Sequence, residues 1–368
     1  MPLDPSRLKS TALKSLAALG RIPNVSYYEN GASYIRDTCE ALGLDVHADR
    51  WGNVLATRPG SEPGAPGLAY VAHMDHPGFE AVEQAGDEVI ALVHGGLPDQ
   101  ALAAGVRVLA VQPGDRRVEG DVLGPMDDEG PKRVRARFSG AIELPCAVIL
   151  DLPDFDLSDE RITMRAADDL AGCAAVIGAL SAVVAEHTTG PVHGLFTRAE
   201  EVGLVGARLA AEDGLFDRRT VVVSVETSLA LPGAEMGKGP VIRTGDRRTT
   251  FEMAAEAYLT AARATLETSV EGFACQRQLM GAGGCEASAF SAFGYSVTGL
   301  AFPLGNWHNN APDGTVQPEQ ISTSDFANGV LLLAEAASLA GTSPVQPSVA
   351  NLRKHPEAEA ARLLANRD

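Results

Sequence analysis

The sequence predicts an α/β protein in which a mostly parallel sheet is flanked by helices and interrupted by a β-rich insertion. Short apolar strands alternate with helical patterns before residue 76 and again after residue 160. The stretch between them has Gly- and Pro-broken β-like runs and no long helical pattern. We therefore divide the chain into an α/β domain (1–76 and 161–345), an inserted domain (77–160) and a peripheral tail (346–368).

The predicted elements follow this division along the chain. Two helices are expected near residues 6–19 and 31–42, and the three strands after them end with GLAYVAH. Beyond the insertion, a long apolar helix is predicted over residues 169–186. Strands VHGLFT, TVVVSV and SVTGLAFP then alternate with helices near 205–211, 249–264 and 324–340, and a Gly-rich loop, GAGGCEASAF, precedes the last strand.

Composition narrows the class of function. The 368 residues include 30 Lys and Arg against 48 Asp and Glu, and the net charge of −18 disfavours nucleic acids and anionic membranes as partners. No apolar run has the length of a membrane span. The five cysteines are odd in number and contain no C-x-x-C pair, which favours a reducing, cytoplasmic location without disulfides.

The segment AHMDHPGF places polar chemistry at the end of an apolar strand. His73 closes the strand, and Asp75 lies two residues further on, where strand alternation would put it on the same face. An aspartate there can accept one ring N–H of the histidine and leave the other nitrogen free for a metal ion. The segment alone is equally compatible with an ordinary polar loop.

Further acids and a histidine occur at or just beyond the ends of later strands. Taken singly they have ordinary explanations as a helix cap, a solvated pair or a loop histidine. Together they favour a metal site, because the carboxyl ends of parallel strands meet at one edge and several buried acids require compensating cations. The donor types suit zinc, cobalt or manganese. These residues are Asp168, Asp169, Glu200, Glu201, Glu226 and His308.

A longer, ordered set of motifs resembles the glutamyl aminopeptidase family, which includes the self-compartmentalising TET enzymes with two metal ions. The resemblance implies that the insertion is a β-barrel-like dimerisation or lid domain. Its place between His73 and Asp168 favours the aminopeptidases over related carboxypeptidases and deacylases, whose extra domain follows the Glu226 position. The motifs are GNVLA, AHMDHPGF, GGLPDQALAAGVRV, VEGDVLG, AADDLAG, AEEVGLVGA, GKGPVI and GGCEASAF.

The resemblance also implies a role for each candidate residue. Two divalent ions, with zinc favoured over cobalt or manganese, would share one centre. Glu200 would be the general base and acid, Asp75 would orient a histidine ligand, and the peptide bond after Asp168 would be cis. The implied metal ligands are His73 and Glu226 for one ion, Glu201 and His308 for the other, and Asp168 for both.

The predicted function is removal of N-terminal residues from short peptides by a homo-oligomer, from dimer to dodecamer, using a water activated by two metal ions. Glu226 stands where these aminopeptidases usually have Asp, so a carboxypeptidase or N-deacylase is the alternative. An inactive assembly scaffold is the alternative of another class. Glu286, in GGCEASAF, is a candidate to bind the peptide's α-ammonium group, or else an ordinary acid at a helix start.

Overall fold

The N-terminal part of the chain supplies two helices and the first strands of a large sheet. The computed structural model describes residues 4–126, 130–184, 187–354 and 356–366. The side chain of Asp4 caps the first helix by accepting the Arg7 backbone N–H at 3.1 Å. The elements are α1 (Pro5–Arg21), α2 (Gly31–Ala41), β1 (Asp45–Ala48), β2 (Val54–Arg58) and β3 (Leu68–His73). All six residues of β3 are buried, as befits a strand covered on both faces.

A closed six-stranded barrel follows β3 and confirms the predicted β-barrel insertion. Its strands are β4 (Gly78–Ala85), β5 (Glu88–His94), β6 (Arg107–Gln112), β7 (Arg116–Pro125), β8 (Arg133–Phe138) and β9 (Cys146–Leu150). They pair in the order β4-β5-β8-β7-β6-β9 and so leave no open edge. Exposed and more buried positions alternate along β6, which starts with exposed Arg107 and buried Val108, so its apolar side chains fill the barrel.

The chain then returns to the large sheet. Its remaining strands are β10 (Asp156–Leu157), β11 (Arg161–Met164), β12 (Val192–Thr197), β13 (Val221–Leu229), β14 (Val241–Arg243), β15 (Gln276–Gln278), β16 (Ser296–Gly305) and β17 (Glu319–Ser322). Strand β10 was expected inside the insertion, but it pairs with β11 at the sheet edge. The barrel strands therefore end at Leu150, before the predicted boundary at residue 160.

Among the described strands, parallel pairs occur at the centre of the large sheet and in the short β14–β15 pair. The strand order is β1-β2-β12-β3-β13-β16-β17-β11-β10, and β14 and β15 extend from β16. Strands β12, β3, β13 and β16 pair in parallel, whereas the flanking strands pair antiparallel. The register aligns Thr197 with His73, so neighbouring strands end at the same edge. The predicted α/β class with a parallel core is confirmed.

Helices cover both faces of this sheet. The helices after the insertion are α3 (Leu170–Val183), α4 (Val205–Glu212), α5 (Met253–Ser269), α6 (Glu286–Ala292) and α7 (Thr323–Ala337), and the C-terminal tail adds α8 (Pro347–Leu352) and α9 (Glu357–Ala365), of which α9 has no buried residue. Helices α1, α3, α5 and α7 share one core, and α4 and α6 share the core on the opposite face. Helix α3 is apolar on every side because it is buried throughout. Its predicted end at Glu186 lies outside the described residues.

Helix α6 occupies part of the segment that the sequence predicted as a Gly-rich loop. It has only seven residues, too few for a helical period to stand out next to four glycines. No helix in the described part of the chain is long and apolar enough to span a membrane. All five cysteines are free thiols in the described structure.

Candidate metal centre

The predicted strand-end residues come together in one cavity at the carboxyl edge of the parallel strands. Strand β3 delivers its last residue, the loops after β11 and β12 deliver three acids, β13 delivers a fourth, and the turn after β16 delivers a histidine. The side chains that line the cavity include His73, Asp168, Glu200, Glu201, Glu226 and His308. Every residue predicted as a metal ligand is therefore in this set.

Asp168 lies between the two histidines. Its Oδ1 is 3.3 Å from His73 Nε2, and its Oδ2 is 3.9 Å from His308 Nε2. Glu226 Oε2 lies 4.0 Å from His73 Nε2, and Glu201 Oε2 lies 3.4 Å from His308 Nε2. Among the described residues, three groups of potential donor atoms have members that all lie within 4.8 Å of one another. Two of these groups share Asp168 and are His73–Asp168–Glu226 and Asp168–Glu201–His308. The third group contains His73, Glu200 and Glu201.

The donors fit divalent cations because several buried oxygens have no other partner. Asp168 Oδ1, Glu201 Oε1 and Glu226 Oε1 are buried and accept no hydrogen bond from any described residue. Unsatisfied buried carboxylate oxygens are strongly unfavourable, whereas metal coordination satisfies them. Carboxylates and imidazoles in groups of three also match the donor sets of zinc and related ions.

Both histidines present Nε2 to the shared aspartate because Nδ1 is used elsewhere. His73 Nδ1 lies 2.9 Å from the backbone oxygen of Asp75, and His308 Nδ1 lies 2.9 Å from the backbone oxygen of Gly96. A carbonyl can only accept, so in each ring Nδ1 carries a proton, and Nε2 can bind a cation when the ring is neutral. A Cβ at residue 96 would lie 2.6 Å from His308 Nδ1, so only glycine allows this approach.

The carboxylate of Asp75 has different hydrogen-bond partners from the one that the sequence predicted. It was predicted to accept a ring N–H of His73, but its Oδ1 is 3.7 Å from His73 Nδ1, and the backbone oxygen makes the hydrogen bond instead. Strand β3 ends at His73, so strand alternation does not extend to Asp75. The carboxylate accepts the Glu200 and Glu201 backbone N–H groups, at 2.8 and 3.2 Å, and the Ser26 hydroxyl at 2.6 Å.

The loop that carries the adjacent glutamates is also held from the N-terminal segment. Glu29 accepts the backbone N–H of Ala199 at 3.0 Å and pairs with the guanidinium of Arg198 at 2.8 Å. Ala199 has a positive φ of 54°, a left-handed conformation that costs energy unless such contacts maintain it. Together with the Asp75 contacts, this arrangement fixes the backbone from which Glu200 and Glu201 project.

Glu319 is a functional candidate that the sequence analysis did not identify. It is buried at the start of β17, where its Oε2 accepts the Asp168 backbone N–H and its Oε1 accepts the His308 backbone N–H, each at 2.9 Å. One carboxylate therefore positions two proposed ligands. Burial is the main cause that raises the pKa of Glu319 to about 8.

The peptide bond between Asp168 and Asp169 is cis, as the family resemblance implies. Asp169 points away from the donor groups and caps α3, because its Oδ1 accepts the Gly172 backbone N–H at 3.0 Å. It belongs to none of the groups of potential metal donors. Its position agrees with the expectation that Asp169 is structural.

Burial and mutual repulsion shape the electrostatics of the site. Burial raises the pKa of Glu200 and of Glu226 well above the usual range. Burial lowers the pKa of both histidines, but the nearby carboxylates have a larger, opposite effect. Glu200 and Asp168 hold the pKa of His73 well above its usual value. Glu201 raises the pKa of His308 to about 10. Burial also opposes ionisation of Asp168, but His73 outweighs it and lowers the pKa of this carboxyl. Cations would stabilise all of these carboxylates in their charged form.

Glu286 does not line the cavity. It is fully buried in the first turn of α6, where its carboxylate accepts the Thr197 and Ser224 hydroxyls at 3.1 and 3.0 Å. Both hydroxyls belong to the parallel strands β12 and β13, so Glu286 ties α6 to the sheet beneath the site. This position does not favour the predicted contact with the substrate's ammonium group.

Solved structures share this fold. The TET1 peptidase of Pyrococcus horikoshii, described as assembling into a tetrahedron or an octahedral shell, is 21% identical with a TM-score of 0.73 over 89% of this chain and 99% of that chain. An aminopeptidase from the archaeon Desulfurococcus kamchatkensis is 20% identical with a TM-score of 0.74 over 89% of this chain and 94% of that chain. The chain thus has the fold of the TET-type aminopeptidases.

Sequence comparisons match part of the chain to one family model and to two curated proteins. Residues 142–316 match the model of the M42 glutamyl aminopeptidase family, which confirms the resemblance inferred from the motifs. Peptidase T of Aeromonas hydrophila is 31% identical over 170 residues, which cover 45% of this chain and 33% of that protein. A second peptidase T, from Aeromonas salmonicida, matches over 19% of its length, so the chain spans a third or less of these curated relatives.

Proposed function

We propose that the chain is a metal-dependent aminopeptidase that removes N-terminal residues from short peptides. The observation that carries this proposal is the pair of donor groups that share Asp168 and contain otherwise unsatisfied carboxylate oxygens. Such paired groups suit a two-metal hydrolase. The shared fold with TET-type aminopeptidases and the match to the glutamyl aminopeptidase family support peptides as the substrate class.

The two ions would be held by ligands that are already close together. His73 and Glu226 would hold one ion and Glu201 and His308 the other, with Asp168 between them, and the distances from Asp168 to both histidines support this division. Zinc is favoured for this mixture of imidazole and carboxylate donors, and cobalt or manganese are the other candidates. When bound, the ions would supply Lewis-acid polarisation and lower the pKa of a nearby water.

Glu200 is the proposed general base and acid. Its carboxylate is 3.8 Å from His73 Nε2 in the same cavity, and burial raises its pKa well above the usual range. It would take a proton from the attacking water and give it to the leaving amine. The adjacent Glu201 is instead directed towards His308, so neighbouring glutamates serve different roles.

Blocking one end of a peptide tests which end is recognised. We expect trialanine to lose its N-terminal residue, and we expect N-acetyl-trialanine to be cleaved at least about 100-fold more slowly. A site that binds a free amine rejects an analogue in which that amine is acetylated. Trialanine amide should release the same N-terminal residue. Product analysis by mass spectrometry, with zinc, cobalt and manganese in turn, provides the measurement.

The same experiment separates the alternatives. Release of the C-terminal residue, or loss of the acetyl group, would assign the chain to the carboxypeptidases or deacylases. The glutamate at position 226 is the sequence feature that favours these two classes. Absence of turnover with all three metals, on a chain that binds them, would favour the inactive scaffold.

We also propose that the chain forms a homo-oligomer and that the barrel mediates its assembly. The support comes from the TET1 peptidase of similar fold, which is described as assembling into large shells. Light scattering of the intact chain should give a mass that is a multiple of 38.4 kDa. A monomer at micromolar concentration would contradict the proposal.

A further inference from the structure

A buried hydroxyl without a partner lies in the cavity of the metal centre. Thr227 follows Glu226 in β13, is only 2% exposed and lines the same cavity as Asp168. Its Oγ1 makes no hydrogen bond with any described residue. A buried hydroxyl without a partner is unfavourable, and valine would fill the same space without that cost. Packing alone therefore does not explain the hydroxyl.

The neighbouring carboxylate lacks a donor in the same way. Asp168 Oδ1 is buried and accepts no hydrogen bond from the described part of the chain. Burial opposes ionisation of this carboxyl, whereas His73, His308 and the Thr227 hydroxyl each lower its pKa. The hydroxyl therefore approaches the carboxylate without reaching hydrogen-bond geometry, and a side-chain rotation would pair a free donor with a free acceptor.

Several of the proposed ligands are already oriented by hydrogen bonds. Backbone carbonyls accept from Nδ1 of His73 and of His308, each at 2.9 Å, and Glu319 accepts the backbone N–H of Asp168. Asp168 Oδ1 has no such support, although the carboxylate would contact both ions. Carboxylates that bind metal ions are usually hydrogen-bonded themselves, which fixes their orientation.

We propose that the Thr227 hydroxyl donates to the Asp168 carboxylate when metal ions bind, and thereby positions the ligand that both ions share. A carboxylate oxygen has two lone pairs, so it can accept a hydroxyl proton and bind a cation at the same time. Thr227 is accordingly a positioning residue, because it acts on the ions only through Asp168. The proposal rests on the two-metal function proposed above, and it adds a residue that sets the metal affinity of that centre.

Removal of the hydroxyl without a change of shape tests this role. Thr227→Val should weaken the binding of both zinc ions by about 10-fold or more, as expected for the loss of a group that orients a metal ligand. The zinc-free variant should melt at or above the temperature of the zinc-free wild type, because a methyl group replaces an unpaired buried hydroxyl. Competition with a chelator of known affinity gives the zinc affinities, and calorimetry gives the melting temperatures.

Three further variants complete the experiment. Thr227→Ser keeps the hydroxyl and should bind both ions within about 3-fold of the wild type. Thr227→Ala lacks the hydroxyl and provides the same test if the valine variant does not fold. Thr188→Val is the matched control and should leave both zinc affinities unchanged. Thr188 is also 2% exposed with an Oγ1 that has no partner among the described residues, but it precedes β12 and lies outside the cavity.

Four results would overturn the proposal. The first is binding of both ions by Thr227→Val and Thr227→Ala within about 3-fold of the wild type, and the second is an equal loss of affinity in Thr227→Ser. The third is the same loss in Thr188→Val, which would make the effect one of general stability. The fourth is weaker binding of one ion alone, which would place the hydroxyl on a ligand that is not shared.

These results are separate from a failure of the proposed function. A wild-type chain that binds two zinc ions but cleaves no peptide would count against the aminopeptidase activity and not against the role of Thr227.

Discussion

Replacing Asp168 with alanine should remove both metal ions from the chain. Its two oxygens face different histidines, at 3.3 and 3.9 Å, so a single substitution withdraws a ligand from each proposed ion. Each site would then be left with two protein donors, fewer than the three or four that zinc sites use. Elemental analysis after dialysis should fall from about two ions per wild-type chain to nearly none.

Asp213→Ala is the matched control for this substitution. Asp213 is an acid whose ion pair with Arg50 is exposed, and it lies outside the cavity. It should keep the wild-type metal content. Full occupancy in Asp168→Ala would show that Asp168 is not a ligand, and loss of one ion would show that it does not bridge.

Glu200→Gln should keep the metal ions and lose nearly all turnover. Glutamine preserves the size of the side chain but cannot take a proton, and loss of a general base typically lowers the rate by roughly 10²–10⁴-fold. The two quantities to compare are metal content and kcat on a peptide that the wild type cleaves.

The neighbouring residue provides the control. Glu201→Gln changes an adjacent side chain in the same way, but Glu201 faces His308 at 3.4 Å and has an oxygen without a hydrogen-bond partner. We expect this variant to lose metal affinity as well as turnover. A near-normal rate in metal-loaded Glu200→Gln would assign the base to another residue, with Asp169 as the next candidate.

The convergence of the candidate ligands could be predicted because it follows from topology. His73 and Glu226 belong to adjacent parallel strands, and the carboxyl ends of such strands must meet at one edge whatever the intervening sequence. The β-rich insertion could be predicted from the change in pattern after residue 77, whereas its barrel form was implied only by the family resemblance. The proposed metal ligands are also acidic or imidazole groups whose chemistry is evident from residue type alone.

The supporting residues could not be found in the same way. Glu319 lies 151 residues from Asp168 and begins an antiparallel strand, so neither its spacing nor its place marks it. For Asp75, spacing identified the correct neighbour but not the atom that makes the contact.

The hydrogen bond between Gly96 and His308 joins the two parts of the molecule that are proposed to assemble and to bind metal. Gly96 follows barrel strand β5, and its carbonyl fixes the ring of a proposed ligand. If copies of the chain associate through the barrel and thereby order this segment, association must strengthen metal binding, and metal binding must strengthen association by the same free energy. Zinc affinity would then rise with protein concentration, and chelation would dissociate the oligomer.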